Sequence, residues 1–78
     1  MGNFNYAGAV AVTPSDVTSF ARGVCQGIYV GGAGAIAAVM EDGTVATFSA
    51  VPVGTLLPIR ATRVNSTNTT ATLLLALY

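Results

Sequence analysis

The sequence predicts an all-β fold: a small antiparallel β-sandwich or barrel of about six strands around a central meander. Three observations carry this. Runs of strand-forming residues flank Asp42-Gly43, a dipeptide that tolerates the backbone of a tight hairpin turn. Small and β-branched residues alternate from Ala9 to Thr13, and a β-branched threonine run leads into the apolar stretch that ends the chain. Pro, Gly and Asn break these runs at short intervals, at Pro14, Gly31-Gly32, Pro52-Gly54 and Asn65-Asn68.

Ala9 to Thr13 reads as the first strand, with Val10 and Val12 on one side. Pro14 stops it, because proline cannot donate to a ladder, and Ser15 or Asp16 can bond to the backbone just ahead. A short helical turn fits Val17 to Phe20. Arg22 to Gly27 is a loop, Ile28-Tyr29-Val30 a brief strand, and the glycines that follow form a hairpin loop. Gly32 to Ala37 also matches the glycine fingerprint of dinucleotide-binding folds, but no acid-terminated strand follows and the chain is too short for a doubly wound sheet.

A two-residue turn at Asp42-Gly43 sets Glu41 against Thr44, Met40 against Val45 and Ala38 against Thr47. One face of the ribbon then carries Ile36, Ala38, Met40, Val45 and Thr47, and the other Ala37, Val39, Glu41, Thr44, Ala46 and Phe48. Pro52 and Gly54 turn the chain again into a strand from Thr55 to Val64, completing the meander. Within that strand Pro58 calls for an edge or bulge. Leu57, Ile59 and Ala61 face inward, Arg60 and Thr62 outward, and Arg63 sits where the alternation lapses. The last strand runs from Thr69 to Tyr78, with Ala71, Leu73, Leu75 and Leu77 toward the core and Leu74, Ala76 and Tyr78 away from it. A strand apolar on both sides is one covered on both sides.

Composition bounds function. The 78 residues, one domain with an N-terminal arm over 1–8, are 53% apolar and only 8% charged: three Arg and three Asp or Glu, with no Lys and no His. A lone copy this small would expose contiguous apolar surface, so the working form is expected to be a homo-oligomer or larger assembly. The inventory leaves almost no candidates for acid-base or nucleophilic work, so no enzyme, cofactor or metal site is expected. Cys25, alone, reads as a small buried hydrophobe. A net charge of zero gives no reason to expect nucleic acid. The uncharged stretch Gly23 to Met40 is long enough to suggest a membrane span, but its glycines, Gln26 and missing basic flanks argue for none. The N-terminus lacks the pattern of a signal peptide. Phe4 and Tyr6 are candidate anchors for the arm, on this domain or a neighbour. Arg60 and Arg63 are candidates to meet Glu41 or Asp42 across a subunit contact, with solvated rim charge as the plainer alternative. Leu74 and Tyr78 are candidate contact residues on the outward side of the last strand.

Several segments resemble small head proteins of tailed phages, in particular the spike base proteins of phage heads and gene transfer agents. They are Ala11-Val-Thr-Pro-Ser-Asp16, Gly27-Ile-Tyr-Val-Gly-Gly-Ala-Gly34, Glu41-Asp-Gly-Thr44, Val51-Pro-Val-Gly-Thr-Leu-Leu-Pro-Ile-Arg60, Thr62-Arg-Val64 and Ala76-Leu-Tyr78. Gln26 departs from the pattern, which has Arg after the cysteine. The resemblance implies a non-enzymatic virion protein on the capsid exterior, a spike base, decoration or cement protein. Its implied partners are its own copies, the major capsid protein and, in spike bases, a head fibre. Read without the resemblance, the residues also allow a small ligand-binding or oligomerisation barrel outside a virion.

Overall fold

A computed structural model describes residues 6–78, and they form two antiparallel sheets. The strands are β1 (Ala9–Ala11), β2 (Gly27–Gly32), β3 (Gly34–Met40), β4 (Val45–Val51), β5 (Leu56–Leu57), β6 (Ala61–Asn65) and β7 (Thr72–Leu77). A four-stranded sheet is ordered β1-β7-β2-β5 and a three-stranded sheet β4-β3-β6. Between them lie Ile28, Val30, Ile36, Ala38, Ala61, Val64, Leu74 and Ala76, all nearly inaccessible, with Cys25 fully buried beside them. Phe4, the first candidate anchor, lies outside the described residues.

The expected meander is replaced by a crossover. Pro58 does not merely bulge the Thr55 to Val64 segment; it divides it between the sheets. Leu56 and Leu57 pair with Tyr29 and Ile28 in one sheet. After three intervening residues the chain enters β6 in the other sheet, on the far side of β3 from β4. A missing N–H and a fixed φ make this the natural place to leave a ladder. The inward set expected here, Leu57, Ile59 and Ala61, does pack on the core. Arg63 lies at a register shift between β3 and β6, where alternation lapses.

The hairpin is displaced by one residue from the expected register. Val39 pairs with Val45, Ala38 with Ala46 and Ile36 with Phe48. Gly43 has φ 91° whereas Asp42 stays at negative φ, and the Gly43 N–H donates to the Met40 carbonyl at 2.9 Å. This is a type I turn with glycine in the left-handed position, which needs one residue more than a type I′ turn. A one-residue slip exchanges the two sides of a strand. Phe48 and Ala46 therefore join the core side with Ile36 and Ala38, while Val45 and Thr47 face solvent.

The last strand is reversed as well. Leu74 and Ala76 are 3% and 1% exposed, and Leu73 is 77% exposed. Leu73 adopts φ 54°, an unusual conformation for a branched side chain, and this irregularity lets Ala71 and Leu74 both face inward. Leu74 is thus a core residue, not an outward contact.

The glycines after Val30 form no hairpin loop: Gly31 and Gly32 end β2 and Gly34 begins β3, and these strands belong to different sheets separated only by Ala33. Gly34 instead allows the sheets to meet. Its φ is 155°, and a Cβ there would lie 2.5 Å from the Ala71 nitrogen and 2.7 Å from the Thr70 carbonyl carbon. Residues 17–20 form no helical turn. They belong to a segment that lies along the outer edge of β6, with Ser15, Phe20 and Cys25 N–H groups donating to the carbonyls of Val64, Thr62 and Ala61.

Candidate interaction surface

Alternation along each strand sends one set of side chains into the sandwich and leaves the other outside. In the four-stranded sheet the outer set follows from register. Ala11, Leu75, Tyr29 and Leu56 form one row across all four strands, and Ala9, Leu77 and Gly27 form the next. Leu73 stands beside Gly31 at the far end. Tyr6 joins this face from the arm, because a Cβ on Gly27 would lie 2.9 Å from its hydroxyl and 3.4 Å from Leu56. None of the chain's six charged residues is in this set. Tyr29, at 40% exposure, and Leu73 are its exposed large side chains. The Tyr6 hydroxyl is buried there with no hydrogen-bond partner among the described residues.

The outer face of the three-stranded sheet differs in kind. Ala37 and Val39 lie at its centre, flanked by Val45 and Thr47 on β4 and by Arg63 and Asn65 on β6. Arg63 Nε donates to Asn65 Oδ1 at 2.9 Å, so this cation is held within its own strand. Its stem is placed to cover Val39, which is only 9% exposed.

The other charges sit at the ends. Arg60 grips Glu41 of the same chain with two contacts, Nε to Oε1 at 2.7 Å and Nη2 to Oε2 at 3.2 Å. The guanidinium holds the Glu41 carboxyl below its ordinary range, and both side chains are more than half exposed. The pair expected across a subunit contact is therefore formed within one subunit. Asp42 accepts the Thr44 N–H at 2.9 Å, which lowers its pKa in the same direction. These residues border a shallow cleft floored by Met40, Pro58 and Ile59. At the opposite end Asp16 clamps the 65–68 turn, accepting from the Thr67 hydroxyl at 2.6 Å and its N–H at 3.0 Å, and these bonds hold its carboxyl below the usual value.

Tyr78 also turns out to be internally engaged. Its ring lies 4.5 Å from the Arg22 guanidinium carbon, its hydroxyl donates to the Gly23 carbonyl at 3.1 Å, and burial pushes its phenol pKa up. Its backbone ties down the arm, exchanging hydrogen bonds with Gly8 and accepting from Ala7 at 2.7 Å. Of the candidate contact residues that the structure describes, then, Tyr6 alone lies on the charge-free face. The residues that build it, Tyr29, Leu56, Leu73, Leu75 and Leu77, become visible only when register is known. The available signal was the lack of any charge in the strands that carry them. Among the described residues no three His, Cys, Asp or Glu side chains converge on a metal site, and no helix is long and apolar enough to cross a membrane.

No protein-family model and no curated protein sequence matches the chain. A solved structure does. A chain from the capsid of a native gene transfer agent particle, computed with C5 symmetry, superimposes with a TM-score of 0.84 at 30% identity, over 95% of this chain and 84% of that one. The chain belongs to the family of that capsid component. Family membership and the two sheet faces agree in direction: the relative comes from an assembled particle, and this chain presents one broad side on which no charge opposes burial.

Proposed function

We propose that this protein is a structural component of the outside of a phage-type head, a spike base or decoration protein. It associates with its own copies and seats on the major capsid protein through the charge-free face of the four-stranded sheet. The observation that carries the reading is that face, in a chain whose relative is a capsid component. The molecule spans 33 × 24 × 20 Å. Its broad side offers on the order of 800 Å², about one partner's share of a standard protein–protein interface. Burial of apolar area at roughly 25 cal/mol per Å² can offset the entropy of association with no special chemistry. A head fibre would then have the opposite, Arg63-bearing side on which to dock. The reading needs no cofactor and no reaction.

The test is imaging of particles assembled with and without this protein. Density of its size on the outer surface, lost when its gene is deleted, is the expected result. Density inside the shell, or none at all, rules the proposal out.

A further inference from the structure

A sheet edge is a row of unpaired backbone donors and acceptors, and proteins ordinarily guard it with charge, proline or a covering segment. Two of the four edges here are guarded. β6 is covered by the 13–25 segment through the three bonds to Val64, Thr62 and Ala61. β5 has two residues and runs directly into Pro58. The other two are open among the described residues. β4 is seven residues long with no charge and no proline, and β1 is flanked by no covering strand.

The open edges lie on opposite flanks. β4 leads through the 52–54 turn straight into β5, so these two strands share one flank. β1 leads into the segment bonded along β6, so those share the other. Because Thr44, Ala46 and Phe48 direct their backbone bonds toward β3, strand alternation aims those of Val45, Thr47 and Ser49 outward. On β1, Gly8 and Val12 bond toward β7, which leaves Ala9 and Ala11 aimed outward. A bulge at Ser49-Ala50, with Ala50 at φ 54°, ends the usable length of β4 and matches it to a short partner. Beneath the β1 edge lies a groove lined chiefly by Val10, Val12, Phe20, Ala76 and Tyr78, with Thr13, Thr18 and Ser19 beside them. It is an apolar seat for the inner-side residues of an added strand.

We propose that copies of this chain join head to tail, the β4 edge of one adding to the β1 edge of the next, so that each sandwich continues its neighbour's four-stranded sheet. Pairing unlike edges satisfies both open backbone rows with one kind of contact, and it leaves the charge-free outer face available to a different partner. Repetition of such a contact closes into a ring or extends as a filament, whereas pairing like edges gives a two-fold dimer. This inference rests on the assembly reading above and specifies its contact.

Disulfide trapping tests it. Thr47→Cys protein is mixed with Ala9→Cys, Val10→Cys or Ala11→Cys protein under mild oxidation, while the solution mass of the unmodified protein is measured separately. Native Cys25 is fully buried and serves as a silent background. At least one mixture is expected to cross-link with about tenfold higher yield than Thr47→Cys mixed with Val53→Cys, because paired strands bring Cα atoms within disulfide range. Assembly of the unmodified protein without any of these cross-links overturns the edge contact and leaves the assembly reading standing. Cross-linking of Thr47→Cys protein with itself alone shows that like edges pair, and also overturns it. A chain that stays monomeric removes both.

Discussion

The two outer faces of this sandwich are built from similar strands and have opposite characters. On the three-stranded side Arg63, Asn65, Thr47 and Val45 flank an apolar centre, and Arg63 stands opposite Val39 in the register. On the four-stranded side leucine, tyrosine and alanine form rows with no charge among them. The first pattern is that of a side that meets water. The second leaves apolar area whose exposure is unfavourable and whose burial needs no ion to be stripped of solvent. With six charges available, placing none on one whole side concentrates the chain's capacity for association there.

The most severe way to break the comparison is to test which side of β7 is inside. Leu74→Ala is expected to cost about 2–5 kcal/mol in denaturant unfolding, since it empties a packed site. Leu73→Ala, one residue away, should change the unfolding free energy by less than about 0.5 kcal/mol. Equal losses would mean that β7 is not oriented as described.

The contrast between the faces is sharpened by Leu75→Lys against Arg63→Ser. A charge at Leu75 must be desolvated in any contact made by that face, so particle binding should weaken by more than about tenfold, read by co-sedimentation with capsids. Arg63→Ser should leave it within about twofold, as expected for a side chain outside the contact. The reverse ordering would exchange the roles of the two sides.

The smallest expected effect concerns the end of the molecule between the faces. Because Asp16 has a folded-state pKa below its ordinary 3.8, its contribution to stability is present above that pH. It is lost as pH falls through the folded value. Asp16→Asn should slightly lower stability at neutral pH and flatten the decline below about pH 4. An unchanged acid limb in thermal unfolding would show that the Thr67 clamp contributes nothing in solution.

Much of the architecture was legible beforehand. Strand-rich composition, the breaks at Pro14 and Asn65-Asn68, and the burial of Cys25 all follow from local chemistry. The two reversals have a common origin. At the hairpin, Asp42-Gly43 is compatible with either a two-residue or a longer turn, and the choice moves every partner by one position. At β7, alternation read from Thr69 onward could not anticipate that Leu73 takes a left-handed conformation. Since strand side chains have a period of two, any single-residue irregularity inverts inside and outside downstream. Unbroken alternation therefore puts Leu74 and Tyr78 outward, whereas in the fold Leu73, Leu75 and Leu77 hold that side.

What the amino-acid sequence determined by itself was class and shortage: β-structure, because its residues suit pleated strands and its punctuation is dense, and too few charges to cover a small surface. Tertiary structure alone decided where the shortage falls. Register, the division of one segment at Pro58 and the covering of β6 are settled by contacts between residues far apart in the chain, whose energies no local pattern contains. Those contacts sent the charges to the ends and to one face, and left the other face and two strand edges open.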